Sequence, residues 1–103
     1  MPLDLAILGP DGAPVHMVPI RAEVHERMIR AARNVGGRLL LRMEDFYADT
    51  EYELSELPAF KHDVNAVLHE IVEDQALESV LQHIAALVDE AINEAQGLCA
   101  IAD

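Results

Sequence analysis

Histidine and acidic side chains at helical spacing raise the question of a metal site. His62, His69 and Glu73 occupy positions i, i+7 and i+11 of a segment with helical periodicity. Donors on one helix share an ion when they lie three or four residues apart, because one turn brings them together. The two histidines are two turns, or about 10 Å, apart. We therefore expect this set to be a solvated polar helix face, and the sequence predicts no metal site.

Patterns typical of nucleophilic or phosphate-binding sites are also absent from the sequence. His25, Glu26 and Arg27 are consecutive in a predicted helix, where adjacent side chains point in different directions and cannot converge on one atom. Cys99, the single cysteine, lies in an apolar segment where burial would raise the thiol pKa. The turn at residues 9–12 lacks the lysine and the following helix of a phosphate-binding loop. The sequence predicts a protein that is not an enzyme and needs no cofactor, unless residues distant in the chain converge.

The net charge of −12 is unevenly distributed along the chain. Six of the seven basic residues are arginines within residues 21–42, whereas residues 43–103 contain fifteen acids and Lys61 alone. Nucleic acids and anionic membrane surfaces are bound through lysine and arginine, so neither is expected as a direct partner. The excess negative charge indicates either a role in solubility or a surface for a cationic partner.

The acidic segment, residues 44–56, combines carboxylates with aromatic side chains. Carboxylates steer and pair with lysine or arginine of a partner, and tyrosines supply anchors that are buried on binding. An equally open alternative is a solvated loop whose aromatic residues pack into the core. A calcium loop is not expected, because the regular spacing of its ligands is missing. The predicted partner-binding residues are Glu44, Asp45, Asp49, Glu51, Tyr52, Glu53 and Glu56, followed by Asp63 and Glu70 on the exposed side of the next helix.

Alternating apolar residues predict a β-hairpin over residues 3–18, with a turn at residues 9–12. Pro14 cannot donate a hydrogen bond to a neighbouring strand, so the second strand is expected at a sheet edge. A helix is predicted for residues 21–34 and is ended by two glycines. Residues 38–42 are apolar in their middle and predict a short buried central strand.

The second half of the chain predicts a short strand or extended loop at residues 50–54, two helices and a closing strand. Ser55 is the expected N-cap of the first helix, with Pro58 in its first turn. In a continuous helix the two apolar stripes would point about 130° apart, so a break is expected at residues 73–76. Gly97 is the expected cap of the second helix. Residues 98–101 then form the closing strand.

These elements predict one α+β domain over residues 1–103. We expect a small, mainly antiparallel sheet, made of the N-terminal hairpin, the central strand and the C-terminal strand, with about three helices packed on one face. Aromatic residues are only 4% of the chain, so the core is expected to be aliphatic. The sequence has neither the pattern of an export signal nor an apolar stretch that could cross a bilayer, which predicts a cytoplasmic protein.

Three features of the chain together resemble a known class of proteins. They are a Leu-Asp-Leu strand (3–5) followed by a Pro-Asp-Gly turn (10–12), the acidic segment from Asp-Phe-Tyr (45–47) through Glu-Tyr-Glu (51–53) to Glu-Leu-Pro (56–58), and the closing residues 97–103. The chain resembles the small acidic immunity proteins that bacteria encode beside polymorphic toxins, including those of contact-dependent growth inhibition systems.

The resemblance implies a cytosolic protein that binds the C-terminal effector domain of a toxin with high affinity and blocks its active site or substrate entry. If the toxin is a nuclease, the acidic protein would occupy its cationic substrate-binding surface. The alternative is a small cytosolic regulatory domain without a toxin partner. Such a domain would self-associate through the broad apolar stripe of the last helix, and a homo-oligomer is therefore possible.

Overall fold

The structure is a computed structural model that describes residues 3–102. Asp103, the last residue of the closing motif, lies outside the described residues. The elements follow in the order β1 (Leu3–Leu8), β2 (Pro14–Ile20), α1 (Ala22–Val35), α2 (Arg38–Leu41), β3 (Thr50–Tyr52), a 3-10 turn (Leu54–Glu56), α3 (Leu57–Glu70), α4 (Gln75–Asn93) and β4 (Leu98–Ile101). The strands form one antiparallel sheet in the order β2-β1-β4-β3, which confirms the α+β class.

The N-terminal hairpin is confirmed, together with its turn. Gly12 has a φ of +81°, and its N–H donates to the carbonyl of Gly9 at 2.9 Å. The strand β2 lies at the edge of the sheet, as Pro14 predicted. A β-bulge shifts the register between Leu5 and Ile7 of β1, and His16 on the bulged side has a φ of +52°. The bulge gives β2 one extra residue, since Leu5 pairs with Val18 but Ile7 pairs with Val15.

The predicted central strand at residues 38–42 is wrong, because these residues form the short helix α2. Gly36 caps α1 in the left-handed region, with a φ of +69°, and the chain immediately turns into α2. The carboxylate of Asp63 accepts the backbone N–H of Leu39 at 2.9 Å and so satisfies one amide at the start of α2. An apolar run this short carries no period that could separate a helical turn from a strand. The central strands of the sheet are β1 and β4.

The predicted break between the last two helices is confirmed. Helix α3 ends at Glu70 and α4 begins at Gln75. Asp74 is the N-cap of α4, and its carboxylate accepts the N–H of Leu77 at 3.2 Å. The guanidinium of Arg27 on α1 donates to the same carboxylate at 2.7 Å and 3.2 Å. The Arg27 hydrogen bond, followed by that of Leu77, holds the pKa of Asp74 below its usual value.

Two predicted helix caps are wrong. Ser55 lies within the 3-10 turn, where Glu53 and Glu56 form a reciprocal capping box instead. The left-handed residue after α4 is Ala95, with a φ of +54°, not Gly97. Gly97 has a different function, since a Cβ there would lie 2.5 Å from the carbonyl oxygen of Tyr52. Only glycine allows the chain to pass this close to the end of β3.

The two faces of the sheet have different surroundings. Leu3, Leu5 and Ile7 alternate along β1 and are fully buried in the core that the helices complete. Ala6 and Cys99 pair across β1 and β4 on the opposite, open face and lie outside that core cluster. Within residues 3–102, no helix combines the length and the apolar character needed to cross a membrane.

Candidate functional site

The acidic segment follows α2 as a series of turns and then becomes β3. Met43 is fully buried at its start, and the hydroxyl of Thr50 donates to the carbonyl of Arg42 at 3.0 Å. Tyr52 at the end of β3 is buried as well. Met43 and Tyr52 therefore fix residues 44–51 to the protein. Four of the predicted partner-binding residues lie between these two anchors, namely Glu44, Asp45, Asp49 and Glu51.

Three of the predicted partner-binding carboxylates hold the segment in place. Glu44 forms an ion pair with Arg33 of α1, and Glu56 pairs with Arg42 at 2.6 Å. Asp49 accepts the backbone N–H of Ala102, just after β4, at 2.8 Å. Arginines that precede the segment in sequence thus neutralise two of its six acids.

The other three carboxylates pair with no cation in the described part of the chain. Asp45 accepts the N–H of Tyr47 at 2.9 Å, a local turn bond that leaves its charge uncompensated. Glu51 is exposed on β3 and pairs through its backbone with Cys99. Glu53 is exposed and belongs to the capping box. The segment therefore has free negative charge along its length.

The expectation that Tyr52 contacts a partner is wrong, because this side chain belongs to the core. It is 1% exposed, and its ring packs edge-to-face on Phe60 with centroids 4.6 Å apart. Its hydroxyl donates to the carbonyl of Leu39 at 2.6 Å, and the Arg42 guanidinium lies 4.7 Å from the ring centroid. Burial raises the pKa of Tyr52 far above its usual value.

Tyr47 is the exposed tyrosine of the segment, with 82% of its surface accessible. Its ring contacts that of Phe46 edge-to-face at a centroid distance of 5.5 Å. The sequence analysis placed Tyr52, and not Tyr47, among the partner-binding residues. The alternation of Glu51, Tyr52 and Glu53 was a usable signal, since acids on both sides of a strand residue place that residue on the inward face.

A depression of about 400 Å³ lies between α1 and the start of the acidic segment. Its lining residues are His25, Glu26, Ile29, Arg33, Glu44, Asp45, Phe46 and Tyr47. His25 is 6% exposed, and its Nε2 donates to the carbonyl of Met43. The Phe46 ring packs against the imidazole with centroids 5.0 Å apart. His25 and Glu26 are thus site residues that sequence reasoning missed, because α1 meets the segment only in the fold.

A second depression, of about 270 Å³, lies on the open face of the sheet. Asp49, Thr50 and Glu51 of the acidic segment line one side of it, and Leu8, Cys99 and Ile101 contribute apolar surface. Burial is the main reason that the pKa of the Cys99 thiol is raised, and the charges of Glu51 and Asp49 add to it. A thiol of this kind is a poor nucleophile at neutral pH. The depression combines carboxylates with apolar walls.

The structure does not bring Asp63 and Glu70 together with the acidic segment. Asp63 caps α2 as described above. Glu70, at the end of α3, lines a separate depression that also contains Arg27, Arg30 and Asp74. His62 and His69 are exposed on α3, as the sequence predicted. The candidate site therefore consists of the acidic segment, the neighbouring face of α1 and the adjoining edge of the sheet.

This arrangement can receive cationic side chains. The two depressions of the candidate site offer apolar walls to the methylene stem of lysine or arginine and carboxylates to its charged end. No family model, curated protein or solved structure matches the chain.

Proposed function

We propose that this protein is a non-enzymatic immunity protein that binds the C-terminal effector domain of a cognate toxin in the cytosol. The proposed toxin domain is a basic nuclease. Binding neutralises it by occluding its active site or substrate entry. The observation that carries the proposal is Tyr47, which is 82% exposed within a segment rich in carboxylates. Exposed tyrosines of this kind become buried anchors in protein–protein interfaces.

The charge of the whole chain supports a cationic partner. At a net charge of −12 the protein repels nucleic acid and attracts basic surfaces over distances longer than direct contact. A nuclease binds phosphates through its own cationic surface, so an acidic protein competes for the same groups. Long-range attraction also raises the rate of association, which favours capture of a toxin soon after it enters the cell.

The depression beside α1 supports the same class of partner. Ile29 and Phe46 provide apolar contacts, and Asp45 provides a carboxylate without a cation, while Glu26 is paired with Arg30 of the same helix at 3.3 Å. An arginine or lysine of the toxin inserted there would bury its stem and pair its charged end. Arg33 is already paired with Glu44, so its charge opposes an incoming cation less than a free arginine would.

The alternative of self-association through the last helix lacks the surface that it requires. The stripe residues of α4 are buried in the protein core, from Leu77 through Leu81 and Ile84 to Ala91. Ile92 is the most exposed large apolar residue of α4, at 38%. Apolar surface remains beside α4 in a depression of about 290 Å³, where Val80 lies with Met17, Val18 and Pro19 of β2, but Val80 is its only residue from the predicted stripe.

The proposal is tested on the domain encoded at the 3′ end of a neighbouring toxin gene, expressed separately and titrated with the full chain. Tyr47→Ala is expected to weaken binding by about 2 kcal/mol, or about 30-fold in Kd. Asp45→Asn with Glu51→Gln removes two charges without changing side-chain shape. This double variant should bind more weakly and depend less steeply on salt.

The matched control is Glu73→Gln with Glu78→Gln, which removes the same charge from exposed residues outside the site. If this control weakened binding as much as the double variant at Asp45 and Glu51, the acidic segment would not be the interface. The absence of any neighbouring gene for a basic effector domain would overturn the immunity function itself.

A further inference from the structure

A histidine and two glutamates from distant parts of the chain converge where β2 meets the end of α4. His16 lies at the bulge of β2, Glu90 lies in the last turn of α4, and Glu94 is the C-cap residue of that helix. One donor atom from each of the three side chains lies within 4.8 Å of the other two. The separation of His16 Nε2 from the nearer carboxylate oxygen of Glu90 is 3.5 Å.

These distances suit ligands that share one ion better than they suit a direct bond. A hydrogen bond between imidazole nitrogen and carboxylate oxygen is centred near 2.8 Å. Two ligands of a tetrahedral zinc ion, each about 2.1 Å from the metal, are roughly 3.4 Å apart. The pair of His16 and Glu90 matches that spacing, and Glu94 requires only a side-chain adjustment to join it.

The backbone explains how the three residues meet. Glu90 and Glu94 are four residues apart, so they project from the same side of α4 on successive turns. His16 has a positive φ because β2 contains one extra residue at the bulge. Bulges change the direction of a side chain relative to a regular strand, and this one presents the imidazole to α4.

Electrostatics at this end of α4 favours a cation. The carbonyl end of a helix carries partial negative charge, which disfavours acids and favours bases. The last turn of α4 nevertheless contains no basic residue, and both Glu90 and Glu94 are located there. Asp89 in the same turn is paired with Lys61, whereas Glu90 and Glu94 have no lysine or arginine partner within residues 3–102.

We propose that His16, Glu90 and Glu94 bind one divalent transition-metal ion, preferably zinc, which joins the N-terminal hairpin to the end of α4. Imidazole with carboxylates suits zinc better than calcium or magnesium, which prefer oxygen ligands alone. Two carboxylates balance the charge of the ion, and water completes the coordination. The site shares no residue with the acidic segment, so it is independent of the proposed function.

Calorimetric titration of the chelator-treated full chain with zinc chloride tests the proposal. One equivalent is expected to bind, and Glu90→Gln, Glu94→Gln or His16→Asn should each weaken binding by at least about tenfold, the smaller loss found even for residues that only orient a ligand. Asparagine is chosen at position 16 because it tolerates a positive φ better than most residues. Zinc should raise the melting temperature of the wild type, because an ion bound only by the folded state stabilises it. The three variants should lose this shift.

His62→Asn and Glu78→Gln are the controls, since each removes an exposed donor of the same type elsewhere. Both are expected to bind zinc like the wild type. Failure to bind one equivalent, or undiminished binding by His16→Asn and Glu90→Gln, would overturn the proposal. Equal loss in the controls would also overturn it, because the ion would then be bound elsewhere. Circular dichroism of the metal-free variants distinguishes loss of a ligand from loss of the fold.

Discussion

The acidic segment and the end of α4 show how differently acidic residues are compensated in one small protein. The segment has six acids in thirteen residues, but Arg33 and Arg42 reach two of them from α1 and the turn after α2. At the end of α4, Lys61 pairs with Asp89, whereas in the described chain the only base grouped with Glu90 and Glu94 is His16. Uncompensated charge is therefore set by which cations the fold brings near. It does not follow the density of acids in the sequence.

Replacing each tyrosine of the acidic segment by alanine tests which of the two rings holds the segment on the core. Tyr52→Ala removes a buried ring from its contact with Phe60 and is expected to reduce the free energy of unfolding by about 3–5 kcal/mol. Tyr47→Ala should change it by less than about 0.5 kcal/mol, because that ring is exposed. Chemical denaturation followed by circular dichroism measures both. Similar losses for the two variants would contradict the assignment of one tyrosine to the core and the other to the surface.

Arg42 is expected to stabilise the acidic segment, and this is tested by comparing its removal with the removal of Lys61, which pairs with Asp89 of α4. Arg42→Ala loses the ion pair with Glu56, a bond to the carbonyl of Glu51 and the contact over the Tyr52 ring. Its expected cost is about 1–2 kcal/mol in the free energy of unfolding.

Lys61→Ala is the matched comparison for Arg42→Ala. It loses only a surface pair with Asp89 and should cost less than about 1 kcal/mol. Denaturant titration of both variants under the same conditions gives the difference. A larger loss for Lys61→Ala would mean that the arginine does not fasten the segment.

The smallest expected effect concerns the Cys99 thiol on the open face of the sheet. Its pKa is raised chiefly by burial, and the negative charge of Glu51 adds to the shift. Removing that charge in Glu51→Gln lowers the pKa, so more thiolate is present at mildly alkaline pH. Alkylation by iodoacetamide should then be faster than in the wild type. Glu73→Gln should leave the rate unchanged, and an unchanged rate in Glu51→Gln would place its carboxylate away from the thiol.

Most of the fold could be predicted because long periodic segments carry their own signal. The hairpin, α1, the break before Asp74 and β4 all followed from apolar spacing and turn residues. The short helix α2 did not, because three leucines in a row fit a helical turn and a strand equally well. Two helix caps were also predicted wrongly, because Glu53 and Glu56 form a capping box around Ser55, and Ala95 rather than Gly97 takes the left-handed conformation after α4.

The candidate site was predictable only in part. Composition identified the acidic segment, but the arginines that neutralise Glu44 and Glu56 act through the fold. The metal-binding set proposed at His16 could not be found from sequence spacing, because its members lie near opposite ends of the chain. Helical spacing directed attention to His62 and His69 instead, which the structure leaves exposed and apart on α3.

The close approach of Gly97 to Tyr52 gives a way to recognise distant relatives that pairwise comparison misses. Any side chain at position 97 would collide with the backbone of β3, so a homologous sequence should retain glycine directly before its final strand. It should also retain an inward-facing residue at the end of the preceding short strand. A search pattern built on that spacing, rather than on overall identity, would detect chains that share this architecture after their surfaces have diverged.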